Sequence, residues 1–169
     1  KVKNEKDGDL AVIQMKDLEN NYQTLGKQMT MISSNKVPEK YLLQKGDVLF
    51  ISKGANNFAL VFKEDIKAVA SSAFFVLRPE PTKVIPEYLA WYINNGKAQR
   101  YLEEKRAGTY IPNVNKTTLM ELKVKLPTIE KQKRIALIAE LAKKEQSIYD
   151  KLKQNRTVIL NTLLQNAIN

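Results

Sequence analysis

Val48-Leu49-Phe50-Ile51-Ser52-Lys53-Gly54-Ala55-Asn56-Asn57-Phe58-Ala59-Leu60-Val61-Phe62 is the stretch that sets the fold of this chain. Two β-prone apolar runs flank a segment carrying Gly54, Asn56 and Asn57, which is the pattern of a β-hairpin. Just upstream, Tyr41-Leu42-Leu43-Gln44-Lys45-Gly46-Asp47 leads into the first run. Gly46 and Gly54 read as turn residues, and Asp47 as turn chemistry at the start of a strand rather than a catalytic acid. Further upstream, residues 10–15 (Leu-Ala-Val-Ile-Gln-Met) are nearly all apolar, as in a buried strand. The polar stretch after them, with Asn20, Asn21 and Gly26, reads as a loop. Downstream, Ala68-Val69-Ala70 and Phe74-Phe75-Val76-Leu77 add two more strands, stopped by Pro79 and Pro81.

Beyond the strands the period changes. Pro86 suits the first turn of a helix, where its missing N–H costs little. Leu89, Tyr92 and Ile93 recur at helical spacing, predicting a helix from 86 to about 106, ended by Gly108. Tyr88, Trp91 and Tyr92 on it read as core rather than as base-stacking platforms. A polar loop follows over 109–116, and 119–126 reads as a short helical turn and a last strand, stopped by Pro127. From Ile129 to the end there is neither Gly nor Pro, so this is one long helix with Thr128 as its N-cap. One heptad seam runs Ile135, Ile138, Ala142, Glu145, Tyr149, Leu152, Arg156, Ile159, Leu163, Asn166. Seven of these ten positions are apolar or aromatic, the mark of a coiled-coil seam with polar interruptions. Some 40 residues of helix reach ~60 Å, too far for a small domain to cover, so the seam needs a partner helix. The expected fold class is α+β. A globular domain over residues 1–127 carries a twisted mixed β-sheet with flanking helices, and a coiled-coil-forming helix over 128–169 serves as a dimerisation or spacer arm.

Composition narrows the function. The chain has 169 residues, 43% hydrophobic and 27% charged, as expected for a globular domain with its own core. Its apolar runs are far shorter than the ~20 residues a membrane span needs. Residues 1–9 carry no signal-peptide core, so a cytoplasmic location is expected. The chain begins at Lys1 rather than Met, which leaves room for residues upstream. There is no Cys and no His, which removes disulfides, thiolate metal sites and the commonest general base. The formal charge of +10 points to a polyanionic partner. It is shared between both parts, with eight Lys/Arg against four Asp/Glu from Ile129 onward.

No catalytic constellation is present. Phosphate-loop and dinucleotide motifs are missing. Glu103, Glu104 and Lys105 resemble a fragment of a nuclease site but have no matching Asp on a preceding strand, and they read as a solvated helix face. No metal site or cofactor is expected. Two loop clusters are more informative. Ser52, Lys53, Asn56 and Asn57 sit at the hairpin; Arg106, Thr109, Tyr110, Asn113, Asn115 and Lys116 sit in the loop after the helix. Lys and Arg neutralise phosphates and read guanine, and Asn pairs with adenine through two hydrogen bonds. These ten residues are the candidate DNA contacts. Ile135, Ile138, Ala142, Tyr149, Leu152, Ile159 and Leu163 are the candidate dimer contacts.

Three stretches, in this order, resemble the specificity subunits of type I restriction–modification systems. They are residues 41–50 followed by Ser52-Lys53-Gly54, similar to a Gly-Asp strand opening with a Gly turn; Pro86-Glu87-Tyr88-Leu89 opening a helix; and Leu126-Pro127-Thr128-Ile129-Glu130-Lys131-Gln132-Lys133-Arg134-Ile135 opening the long helix. The likeness runs from about Leu10 to the end. It implies a non-catalytic target-recognition domain that reads one half of a split double-stranded DNA site and docks modification (methyltransferase) and restriction subunits. Family members carry two such domains on antiparallel helices, whereas this chain has one of each. It is therefore a fragment or a half-subunit, and the unpaired seam favours an antiparallel homodimer with a two-fold symmetric, interrupted target. Two other classes stay open: a coiled-coil adaptor whose globular part binds protein, and a nuclease or methyltransferase fragment. Against the last stand the missing phosphate, S-adenosylmethionine and metal motifs.

Overall fold

The computed structural model describes residues 3–19, 24–26, 28–54, 56–106 and 113–168. The predicted hairpin is present. β5 (Val48–Ile51) pairs antiparallel with β6 (Ala59–Val61), with Val48 opposite Val61 and Phe50 opposite Ala59. On its other side β5 pairs antiparallel with β8 (Phe74–Leu77). All four β5 side chains are 0% exposed, because the strand is covered on both faces. Leu49 and Ile51 face a cluster with Ile13, Leu60, Phe62 and Phe74, while Val48 and Phe50 face Ala90, Ile93, Leu102 and Val114 from the helical side. That is why this strand reads as an unbroken apolar run. Each of these side chains contributes roughly 2 kcal/mol by leaving water.

A second, mixed sheet supplies the opposite wall. β1 (Leu10–Ile13) lies at its centre, antiparallel to β4 (Thr30–Ile32) and parallel to β7 (Ala68–Ala70). A two-stranded ladder, β2 (Leu18–Glu19) with β3 (Thr24–Leu25), lies at one side. β2, β3 and β4 fall within the stretch whose composition reads as loop, since strands this short carry too few apolar residues to show a period.

The helical region differs from expectation in two places. The helix predicted over 86 to about 106 is two helices, α1 (Pro86–Asn94) and α2 (Gly96–Arg106). Asn95 between them is extended (φ −79°, ψ 157°), and its Oδ1 accepts from the Lys97 and Ala98 N–H groups, capping α2. After α3 (Lys116–Met120) the predicted last strand does not form, and residues 122–128 belong to no helix or ladder. Hydroxyls of α1 take carbonyls there instead: Tyr92 donates to Lys123 O at 3.0 Å and Tyr88 to Lys125 O at 2.5 Å. Gly108, the predicted helix stop, lies outside the described residues. Tyr88 is buried and Trp91 and Tyr92 are half-buried, as a core role requires.

α4 (Ile129–Ile168) is a single 40-residue helix. The Thr128 hydroxyl accepts from Lys131 N, and its carbonyl accepts from Gln132 N. Gln132 is 1% exposed and uses its whole amide: Oε1 accepts from Ile85 N at 2.9 Å, and Nε2 donates to Lys83 O and Pro127 O. The side chain thereby ties the base of α4 to the start of α1. One turn further on, Ala136, Ala139 and Lys143 border a cleft with Phe58, Lys63 and Trp91. Lys143 lies 5.5 Å over the Phe58 ring. Partial burial pulls its pKa down, the nearby Lys63 charge adds to that, and Glu140 opposes it. From residue 140 to 168 every residue of α4 is exposed.

Candidate nucleic-acid interface

The described parts of the two loop clusters meet. Lys53 and Asn113 make an isolated antiparallel bridge, and Val114 N donates to Ser52 O at 2.9 Å. Val114 is buried at 2% exposure, so residues 113–115 are anchored beside the hairpin turn. Gly54 holds φ +93°, a conformation that side-chain-bearing residues rarely adopt, and it turns the chain away immediately after Lys53.

Not every predicted contact residue faces outward. Ser52 is 3% exposed, and both its N–H and its hydroxyl donate to Ala73 O. Asn57 is 4% exposed; its Nδ2 donates to Ile51 O and its Oδ1 accepts from Arg106 Nη1 at 2.8 Å. These two polar side chains bind the loop to its scaffold, because a buried polar group left without a partner is costly. In this structure both side chains are turned to the scaffold rather than to the open surface. Arg106, the last residue of α2, is half-buried and held by Asn57, while Gln99 on the same helix donates to Asn57 O at 2.9 Å. Asn115 is exposed, but its Oδ1 accepts from Thr118 N and caps α3. Lys53, Asn56, Asn113 and Lys116 are exposed. Thr109 and Tyr110 lie outside the described residues. Lys53 Nζ also lies 3.3 Å from Ser72 Oγ, which brings the exposed β7–β8 turn to the same edge. Sequence reasoning missed Ser72; Ser71-Ser72 between two strands marks a turn but nothing in it says which turn it adjoins.

The Gly46-Asp47 opening has a structural explanation. Gly46 takes φ +96°. The Asp47 carboxylate, 1% exposed, accepts from Gln44 N and from Nε and Nη2 of Arg78, the last two at 2.7 Å. That pairing raises the Arg78 pKa further. Among the described residues no group of three or more acidic residues is placed to hold a metal ion, and no helix is long and apolar enough to cross a membrane.

A two-walled α+β domain with its polar loops gathered at one edge and a 40-residue helical arm is the class this architecture defines. Residues 1–155 match the family described as Type I restriction modification DNA specificity domain, and the chain belongs to that family. A specificity subunit from Methanocaldococcus jannaschii, that of the type I restriction enzyme MjaIX, is 27% identical over 92% of this chain and 35% of its own length. The HindI specificity subunit of Haemophilus influenzae is 28% identical over 57% of this chain and 22% of its own. The chain thus spans about a third or less of these relatives. Among solved structures, the HsdS subunit of Thermoanaerobacter tengcongensis has the same fold at a TM-score of 0.72 and 18% identity, over 93% of this chain and 41% of that one. A chain from a study of complex assembly and conformational transition of the type I R-M system superposes at a TM-score of 0.78 with 19% identity, over 94% of this chain and 42% of that one. Family and fold agree with the resemblance read from the sequence, and the relatives are named as specificity subunits, in line with a non-catalytic role.

Proposed function

We propose that this chain is the sequence-reading part of a type I specificity subunit. It reads one half of a bipartite double-stranded DNA site and docks the modification and restriction subunits, and the α4 seam pairs with that of a second copy, antiparallel. One observation carries the DNA-reading part: the Lys53–Asn113 bridge brings Lys53, Asn56, Asn113 and Lys116 to a single exposed edge. Loops carrying a phosphate-neutralising cation beside amide side chains, held on a rigid sheet, suit groove reading. The net charge of +10 supplies the long-range attraction. Ser52 and Asn57 act beneath that edge as supports, and Arg106 links it to α2.

The test is DNA binding by the full chain, alone and with its modification subunit, on the cognate duplex. Lys53→Ala is expected to weaken binding and to flatten the dependence of log K on log salt by roughly 0.9 for each phosphate no longer neutralised. Asn56→Ala is expected to lower the preference for cognate over altered sequence with little change in that slope. Unchanged affinity and unchanged slope in Lys53→Ala would remove the loops from the interface. The adaptor reading draws on the exposed α4 seam alone; it gains if no duplex is retarded at low salt even with the modification subunit present.

A further inference from the structure

The apolar seam of α4 carries two charges that no described residue answers. Glu145 and Arg156 both lie on the apolar seam, both are exposed, and among the described residues neither has a hydrogen-bond or ion-pair partner. Their own helix offers none. The residues three and four positions away are Leu141, Ala142, Ile148 and Tyr149 for Glu145, and Leu152, Lys153, Ile159 and Leu160 for Arg156. Around them Ile138, Tyr149, Leu152, Ile159 and Leu163 are each 58–66% exposed. At ~100° per residue this seam lies about a third of a turn from Gln132, Ala136, Ala139 and Lys143, which face the globular domain. The domain therefore leaves the seam open.

We infer that α4 pairs with α4 of a second copy in one particular antiparallel register, set by Glu145 opposite Arg156 of the second copy. That single alignment also places Ile138 opposite Leu163, Ala142 opposite Ile159, and Tyr149 opposite Leu152, each a seam residue against a seam residue. The two-fold axis passes between Asp150 and Lys151, so both charges are paired twice. The alternatives are worse. A parallel in-register pair sets Glu145 against Glu145 and Arg156 against Arg156, like charges within an apolar seam. An antiparallel slip of one heptad sets Glu145 against Tyr149 or Leu163 and Arg156 against Ile138 or Leu152, leaving each charge desolvated and unpaired. A seam that answers its own charges under a two-fold rotation fits a second copy better than an unrelated helix. In this register the two copies of Ile129 stand roughly 65 Å apart, which fixes the separation of the two loop edges.

This rests on the α4 pairing proposed above but can fail independently of DNA reading, because the experiment uses no DNA. Glu145→Arg and Arg156→Glu are made singly and together in the full chain, and the dimer dissociation constant is measured by sedimentation equilibrium across the micromolar range. Each single variant is expected to raise it by at least about tenfold, and the double variant to return it to within about threefold of the starting value. Single variants without effect, or a double variant as weak as the singles, overturn the register. So does a starting protein that stays monomeric throughout. Because charge reversal can also loosen the helix, a second measurement uses the absence of native Cys. A chain carrying Ile138→Cys together with Leu163→Cys should form a disulfide-linked dimer under mild oxidation, whereas neither single variant should. Linkage by Ile138→Cys alone indicates a parallel pair and overturns the inference, as does no linkage by the double variant.

Discussion

Asp47 sits at the point where local and distant sequence meet. Its carboxylate closes the Gln44–Asp47 turn and receives a two-pronged Arg78, and Arg78 Nη2 also donates to Leu42 O at 3.1 Å. With Asp47 1% exposed and the Arg78 side chain at 46%, the pair is half in water, so Arg78 can be rehydrated once released. Asp47→Ala is expected to destabilise the fold by about 2–3 kcal/mol in denaturant unfolding, and Arg78→Ala by somewhat more, because it leaves the buried carboxylate without its counter-charge. Equal, negligible effects for both would show that the turn holds without them. The sequence shows the Gly46-Asp47 turn but not the arginine 31 residues on, because a salt bridge between elements leaves no periodic trace. Asp9 gives the matching case at the surface. Its carboxylate accepts from the Ser34 hydroxyl at 2.6 Å and the Ser34 N–H at 2.7 Å, with Lys67 close by, which lowers its pKa from 3.8 to about 2. Since the folded value is the lower one, this interaction supports the fold above pH 3.8 and its contribution disappears as pH falls through about 2. Ser34→Ala should move the Asp9 titration, followed by NMR, part of the way back to its ordinary value; an unmoved midpoint would assign the shift to the Ser34 N–H, which the substitution leaves in place.

The elements that the sequence announces are those whose whole length shares one environment. β5 is apolar on both faces, and α4 runs without Gly or Pro, so each stands out. β2, β3 and β4 do not, and the break at Asn95, whose side chain caps α2, shows in the sequence only as the Asn95-Gly96 turn dipeptide within an otherwise helical stretch. Likewise Ser52 and Asn57 look like reading residues in the sequence; only tertiary structure shows that they point inward. Gln132 falls between these cases. Its place in the Leu-Pro-Thr stretch marks it as part of a motif, while its task comes from burial: one amide satisfies Ile85 N, Lys83 O and Pro127 O at once. Gln132→Met keeps the volume and removes all three hydrogen bonds, leaving those backbone groups unpaired at the base of the arm. It is expected to cost roughly 2–4 kcal/mol in denaturant unfolding, whereas exposed Lys133→Ala next to it should change stability by less than about 0.5 kcal/mol. If Gln132→Met proves as mild as Lys133→Ala, Thr128 and the two tyrosine hydroxyls hold the arm unaided.

For the whole molecule the consequence lies in how charge and arm combine. A single domain that neutralises a few phosphates binds DNA weakly at physiological salt, because counterions compete for every phosphate. Two domains joined by a stiff α4 pair make the second binding event intramolecular, so affinity rises without any new side chain. Salt dependence then counts heads. In a paired molecule Lys53→Ala frees two phosphates and should flatten the slope of log K against log salt by roughly 1.8, whereas in the Glu145→Arg background, where the arms separate, the same substitution should flatten it by roughly 0.9. The slope of the Glu145→Arg protein itself should be about half that of the paired molecule. Equal slopes in the two backgrounds would mean that only one loop edge meets DNA even when the arms are joined. The arm would then serve assembly alone, because a rigid spacer gives avidity only when both ends can reach their sites together.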